Sequence, residues 1–356
     1  MHPTNGEHEK RAPPTEEVMV CPLCDSRQSD FLLSNIDRCY GLPGRFGLIR
    51  CLNCRLVRLS PRPRLDEIGF YYPAEEYYAY QDPGVVQNRL GLGGLRDSIR
   101  KMVLHHRFGY PLTLHRSGDI IAGFLSPAFF NQASYGLGDR FPCYVENGKA
   151  LDIGCGSGGF LNLLKSNGWS VKGVDLSPDA ARAAKQNFDI DVFVGNVEDA
   201  GLEHESFDYV RMNHSIEHVP DPVRTLRFAG ELLKPGGKMY IETPNIGSEN
   251  FRRFREYWMP LETPRHLFLF DPDTLRKAVS TAGLIVDRSL TTYKNYYRVS
   301  YDYKREADYG KRPDPNDRLP ISYYFSSFVY RIGMVIKKYS SPQGGDFLHF
   351  WISKKA

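Results

Sequence analysis

From about residue 148 onward, short apolar runs alternate with stretches whose apolar residues recur every three or four positions. Runs at 149–153, 170–175, 191–195, 207–212, 238–243 and 284–292 read as strands, with helical segments between them. That alternation predicts an α/β domain, a mostly parallel sheet with helices on both faces. One helix, 271–282, has sharp ends: Asp271 as N-cap, Pro272 in the first turn and Gly283 just beyond. Phe347–Lys354 alternates like a last strand, placed at an antiparallel edge. Between the final two strands lies an insert, 294–345. In it Ile321, Phe325, Phe328, Ile332, Val335 and Ile336 fall at helical spacing. The stripe suits a helix packed on the core, on a second copy, or on a membrane surface through 320–338, beside Lys337 and Lys338.

Upstream the rhythm differs. Residues 1–19 are polar and read as a flexible tail without a secretory signal. Residues 20–60 read as a small ribbon. Residues 61–147 form a connector and candidate substrate lid, with Tyr71, Tyr72, Tyr77, Tyr78 and Tyr80 crowded together and a helix expected over 88–108. Residues 148–356 make the α/β domain.

The densest chemistry lies at 149–159, Lys-Ala-Leu-Asp-Ile-Gly-Cys-Gly-Ser-Gly-Gly. An apolar strand runs into Gly154, Gly156, Gly158 and Gly159, where backbone must turn tightly and approach a ligand without a Cβ in the way. The helical run that follows offers free N–H groups to a polar or anionic ligand. Asp175 ends the next strand, 19 residues after Gly156, where a carboxylate can accept both hydroxyls of a ribose. A nicotinamide-binding domain carries the same fingerprint, so the neighbouring motifs decide.

Those motifs are Leu-Asp-Ile-Gly-Cys-Gly-Ser-Gly (151–158), Val-Asp-Leu-Ser-Pro (174–178), Phe-Asp-Tyr-Val (207–210), Ile-Glu-His-Val-Pro-Asp-Pro (216–222) and Leu-Lys-Pro-Gly-Gly-Lys-Met-Tyr-Ile (233–241). In that order the chain resembles the class I S-adenosylmethionine-dependent methyltransferases, in their ubiquinone-biosynthesis-like branch. The resemblance implies a Rossmann-like, doubly wound, mostly parallel seven-stranded sheet with an antiparallel last strand. It also implies S-adenosylmethionine as cofactor. Asp152, Gly154, Gly156 and Gly158 would lie around its methionine part and Asp175 and Leu176 at the ribose. Asn196 and Val197 would border the adenine, and Asn213 the methionine amino group. Candidate bases for an acceptor proton are His214, Glu217, His218 and His266. Some relatives hold a divalent metal with Glu, Glu and His at the positions of His214, Glu217 and His218; here the first is His. His266 lies in Glu-Thr-Pro-Arg-His-Leu-Phe (262–268), a loop able to roof the acceptor pocket, together with the 214–218 turn and the connector.

Seven cysteines include two Cys-x-x-Cys pairs, Cys21/Cys24 and Cys51/Cys54, with 26 residues between the pairs. Four thiolates suit a closed, structural, tetrahedral Zn2+ site in a reduced compartment, and an extended hairpin containing Cys39 fits between the knuckles. Cys143 and Cys155 read as small fillers. The net charge of +4 excludes an overall nucleic-acid-like field. Residues 21–64 nevertheless hold eight Arg against three Asp, and 294–338 hold ten basic against five acidic residues. No run is long and apolar enough to span a membrane. These features predict a cytoplasmic methyltransferase acting on a small molecule, in particular a sugar or sugar nucleotide, at oxygen or carbon. No DNA partner is expected. Two alternatives stay open: an RNA methyltransferase that grips phosphates with the ribbon, and a non-catalytic cofactor-binding module.

Overall fold

The computed structural model of the protein describes residues 11–73, 93–111, 140–293, 296–309, 321–340 and 343–355. The chain begins with β1 (Thr15–Glu16), β2 (Ser29–Asn35), β3 (Phe46–Cys51), β4 (Val57–Leu59) and β5 (Arg62–Pro63). β2 and β3 form an antiparallel hairpin whose connection contains Cys39, and β4 pairs antiparallel with β3. Phe46 and Leu48 are buried on one face of β3, as the period of two requires. β1 pairs with β5.

Helix α1 (Gly93–Phe108) follows. It carries the expected helix from residue 93; positions 88–92 lie outside the described residues, while Met102 and Val103 are buried as expected. The α/β part then runs β6 (Lys149–Ile153), α2 (Gly159–Lys165), β7 (Ser170–Asp175), α3 (Pro178–Phe188), β8 (Val192–Val194), β9 (Phe207–Asn213), α4 (Pro222–Leu232), β10 (Leu233–Pro244) and α5 (Glu249–Phe254). It continues through β11 (Phe268–Leu269), α6 (Pro272–Thr281), β12 (Leu284–Thr292), α7 (Tyr297–Tyr309), α8 (Ile321–Ser340) and β13 (Phe347–Lys354). Ser177 caps α3 by accepting from Ala180 N, with Pro178 in the first turn. Asp271 and Thr274 close a reciprocal capping box on α6.

The seven-stranded sheet has the order β12-β13-β10-β9-β6-β7-β8. β6, β7 and β8 are parallel, and β13 runs antiparallel to β12. All the expected strands form, but β13 is inserted between β12 and β10 instead of lying at the edge. Its composition explains this. Phe347, Leu348, Phe350 and Ile352 are all buried, which an interior strand needs, whereas β12 is half exposed along most of its length.

By Cα proximity the chain divides into two compact units. One is Met1–Ala74, Met212–Gly230 and Ile241–Ala356; the other is Glu75–Arg211 and Glu231–Tyr240. Within the first, a four-stranded sheet has the order β11-β4-β3-β2. The ribbon therefore takes its edge strand from the loop after β10: Phe268 pairs with Arg58, Leu269 with Val57, and Leu59 N donates to Leu267 O at 2.9 Å. The sequence carries no sign of this pairing.

The insert forms helices, but the expected apolar stripe does not pack inward. Ile321 is 87% exposed and Phe325 69%, with Phe328 and Ile332 also outside. The opposite face wins because its tyrosines stack. Tyr323 and Tyr330 meet Tyr297 of α7, and Arg253 lies over the Tyr297 and Tyr330 rings. Among the described residues no helix is long and apolar enough to cross a membrane.

Candidate active site

The glycine loop follows β6. Gly154, Gly156 and Gly158 all have positive φ (76°, 53° and 79°), which L side chains rarely adopt. Gly154 N donates to Val174 O at 2.7 Å, fastening the loop to the end of β7. The Asp175 carboxylate accepts from Gly156 N at 2.8 Å and from Ser177 N at 2.9 Å. Each carboxylate oxygen retains a second lone pair for a ligand hydroxyl. Burial pushes the Asp175 carboxyl up, against the pull of those N–H groups. Leu176 beside it is 58% exposed, an apolar surface next to a polar anchor. Asn196 donates to Asp199 Oδ2 at 3.2 Å, and Val197 is buried.

Asp152 is 0% exposed and accepts from Arg211 Nη1 at 2.7 Å. Burial raises its carboxyl to about 6 even though Arg211 opposes the shift. Its second oxygen, Oδ1, is buried without a hydrogen-bond partner. Asn213 ends β9, with its Oδ1 likewise buried and unpartnered. Cys155 is buried as expected, but Cys143 is exposed and fills nothing.

Three of the four candidate bases, Glu217, His218 and His266, gather in one cluster, and the fourth, His214, lies between Glu217 and a further acid, Glu242. His214, at φ +54°, sits between two buried carboxylates, 3.4 Å from Glu217 and 3.6 Å from Glu242. Burial lowers its pKa, but the two acids outweigh that and raise it to about 9. His214 is therefore a cation at neutral pH and a poor proton acceptor. Glu217 is fully buried, accepts from Thr243 Oγ1 at 2.9 Å, and is held below the usual carboxylate range by His214 and its other imidazole neighbours despite burial.

His218 and His266 meet edge to face with ring centroids 4.7 Å apart. His266 is 3% exposed. Its Nδ1 lies 2.9 Å from Pro260 O and its Nε2 3.0 Å from Glu262 Oε2, so both nitrogens face acceptors. The pairing with His266 overcomes burial and draws Glu262 down to about 2. His218 differs. Its Nδ1 lies 3.0 Å from Arg265 O and 3.0 Å from the Tyr72 hydroxyl. A carbonyl can only accept, so the proton belongs on Nδ1 and the lone pair on Nε2. Burial first, then the neighbouring His266, hold His218 down at about 4, with Glu217 and Glu262 pulling the other way. It is neutral at pH 7.

Glu217, His218 and His266 each bring one donor atom within 4.8 Å of the others. This is not the 214/217/218 arrangement that the resemblance implied. Both His266 nitrogens already face Pro260 O and Glu262 Oε2, and no ion is assigned to the cluster.

The four ribbon cysteines do assemble as expected. Their sulfurs lie within 4.8 Å of one another, with Cys21–Cys54 at 3.4 Å and Cys24–Cys51 at 3.5 Å. Those separations are far too long for a disulfide. They approach the tetrahedron edge of about 3.8 Å that zinc–sulfur bonds of about 2.3 Å require, so the cluster is compatible with zinc. Burial opposes a thiolate at Cys51, but the N–H groups of Cys54 and Asn53 and the Cys24 thiol override it and bring Cys51 to about 6.

Sequence reading missed Tyr72, Glu242, Glu262, Arg265 and Asp37 as members of the site. Glu262 precedes His266 by four residues, a spacing that was available as a signal. Tyr72 was visible only as one of a crowd. Its neighbour Tyr71 proves to be a core residue whose hydroxyl donates to Pro43 O, while Tyr77, Tyr78 and Tyr80 lie outside the described residues.

Residues 136–289 match a family model described as a methyltransferase domain. With the glycine loop after β6 and the acid ending β7, this part of the chain is a class I S-adenosylmethionine-dependent methyltransferase domain. The chain is similar to the ubiquinone biosynthesis O-methyltransferase of Xanthomonas euvesicatoria pv. vesicatoria, 32% identical over 156 residues, covering 39% of this chain and 64% of that protein. It is also similar to the enzyme of that name from Xanthomonas oryzae pv. oryzae strain PXO99A, 37% identical over 107 residues, covering 28% of this chain and 45% of that one. The chain thus spans less than two thirds of each of these relatives. Among solved structures, a possible histamine N-methyltransferase from Thermotoga maritima is 21% identical, with 60% of this chain and 84% of that one covered, at a TM-score of 0.40. A methyltransferase from Archaeoglobus fulgidus is 22% identical, with 58% and 86% covered, at 0.39. Scores this low add nothing to the strand order.

Proposed function

We propose that the protein methylates a hydroxyl of a small ring-bearing acceptor, with His218 as the base. The observation that carries the reading is the placement of the His218 ring: Nδ1 lies 3.0 Å from Arg265 O, which can only accept, so the lone pair falls on Nε2. Bound S-adenosylmethionine would supply an activated methyl on sulfonium. The acceptor oxygen attacks that carbon, the carbon–sulfur bond breaks, and the hydroxyl proton passes to His218 Nε2. The Asp175 carboxylate, braced by Gly156 and Ser177, would hold the ribose, with Leu176 beside it and Asn196 and Val197 along the adenine. Tyr72 and His266 would shape the acceptor side. The ribbon would carry one structural Zn2+ on Cys21, Cys24, Cys51 and Cys54.

The tyrosine-rich connector supports a sugar or sugar nucleotide, since sugar rings stack on aromatic faces. A phenolic acceptor is the second reading, favoured by the name of the Xanthomonas relatives. Transfer to RNA finds less support, because four of the eight Arg in residues 21–64, Arg38, Arg58, Arg62 and Arg64, bond partners within the chain. A methyl-transfer assay over sugar nucleotides, phenols and short RNAs tests the reading. Turnover on a sugar or phenol hydroxyl with a His218-dependent rate is the expected result; turnover on RNA alone would overturn it.

A further inference from the structure

A buried ion pair lies between the ribbon hairpin and the loop after β10. Asp37 and Arg265 are both fully buried at their side chains and bind bidentately, Nη2–Oδ1 at 2.9 Å and Nη1–Oδ2 at 3.1 Å. Asp37 is itself locked, since Oδ1 also accepts from Cys39 N and Tyr40 N at 3.0 and 3.2 Å. Arg265 then supplies one partner of His218 Nδ1 and bonds the residue next to the other. Its own carbonyl is the first. Its Nη1 donates to Tyr71 O at 3.1 Å, fixing the backbone next to Tyr72, whose hydroxyl is the other. The guanidinium also rests over the Tyr40 ring at 4.8 Å.

We propose that Asp37 is a positioning residue for the base: through Arg265 it fixes the carbonyl that keeps the proton of His218 on Nδ1 and the lone pair on Nε2, and the backbone beside Tyr72 that helps orient the ring. The proposal rests on the reading of His218 given above. A plain stabilising role is a weaker account of the pair. Buried ion pairs recover little more than their desolvation cost, and apolar replacements are often neutral. This pair instead joins a rigid turn to one hydrogen-bond partner of an imidazole nitrogen and to the residue next to the other, which is what orienting a base demands.

The groups facing His218 are Glu217 from its own turn, Glu262, His266 and the Arg265 backbone from the loop after β10, and Tyr72 from the connector. Asp37 touches none of them directly except Arg265, so its removal should act on tautomer and orientation. The test is nitrogen-15 NMR of histidine-labelled full-length protein, wild type against Asp37→Asn and Arg265→Lys, with cofactor affinity measured alongside. In the wild type, His218 should show a protonated Nδ1 and no titration near pH 6.5. Both variants should show mixed tautomers and a titration moved toward that of a free imidazole. Cofactor affinity should stay within about twofold, and turnover at pH 7 should fall on the order of tenfold. Asp37→Leu with Arg265→Met replaces the pair by apolar side chains and serves if a single variant fails to fold. An unchanged His218 spectrum in any folded variant overturns the positioning role alone. A wild-type His218 with its proton on Nε2 overturns the base reading itself.

Discussion

Asp175 and His218 are both half-sequestered polar groups, each held by two hydrogen-bonding neighbours, yet they are held in opposite ways. Asp175 is braced by N–H groups within its own glycine loop and the following turn, from Gly156 and Ser177. His218 is braced by Arg265 and Tyr72, and Arg265 is held in turn by Asp37, 228 residues away in sequence. A locally braced group tolerates damage elsewhere in the chain. A group braced across long separations inherits the stability of every segment that reaches it. The cofactor side should therefore be robust and the acceptor side fragile.

Metal removal should separate the two most sharply. Structural zinc sites contribute about 10–16 kcal/mol of apparent binding energy to the fold they close. Stripping the zinc proposed for the four cysteines, or Cys51→Ser, should unravel the ribbon, free β11 from β4 and abolish turnover. Calorimetry should still find cofactor bound within a few-fold of normal affinity. Equal loss of cofactor binding would mean that the glycine loop also depends on the ribbon.

His218→Ala comes next. Loss of a positioned base lowers turnover by about 10²–10⁴-fold. Cofactor affinity should not change, and neither should the melting temperature by more than a few degrees. His266→Ala should cost less, acting through Glu262 and the packing of His218. Full activity in both variants on the true acceptor would leave the transfer without a named base.

Asp175→Ala strikes the other side. A charge-assisted hydrogen bond lost from the ribose is worth about 1.5–3 kcal/mol, or tenfold and more in affinity. The His218 tautomer should be untouched. Unchanged cofactor affinity would remove Asp175 from the ribose.

The smallest effect concerns pH. The folded-state value of His214 is raised to about 9, above its usual 6.5, so its contribution to stability is complete below pH 6.5 and fades as the pH climbs through 9. Urea unfolding should show that decline, and His214→Gln should flatten it. His218, held down near 4, should add no imidazole-type limb to the rate profile between pH 6 and 8.

The same contrast governs what could be read from the chain before folding. The glycine loop, its strand and Asp175 occupy one short stretch, where spacing alone encodes geometry. The two cysteine knuckles are legible for that reason too, each being a self-contained turn. His266 could be placed on the loop after β10 from the strand that precedes it. Nothing in the residues around Asp37 announces Arg265, because a single Asp-Arg match across 228 positions is indistinguishable from two solvated charges. The stripe on α8 was legible as a face but not as a destination: periodicity names the face, and only tertiary competition with the tyrosines excludes the core from the three placements it allowed.

The borrowed strand β11 bears on how the protein is made. During synthesis at about 5–20 residues per second, Arg265 leaves the ribosome roughly 10–45 s after Asp37. The four thiols all lie before residue 55, so a metal could already close the hairpin during that interval. The outer edge of β4 would meanwhile stand open, an unpaired template for any passing strand. Only a chain extended past Leu269 can cover it. A truncated product would carry a folded ribbon with an adhesive rim, which makes covering that rim a check on whether translation has reached the loop after β10.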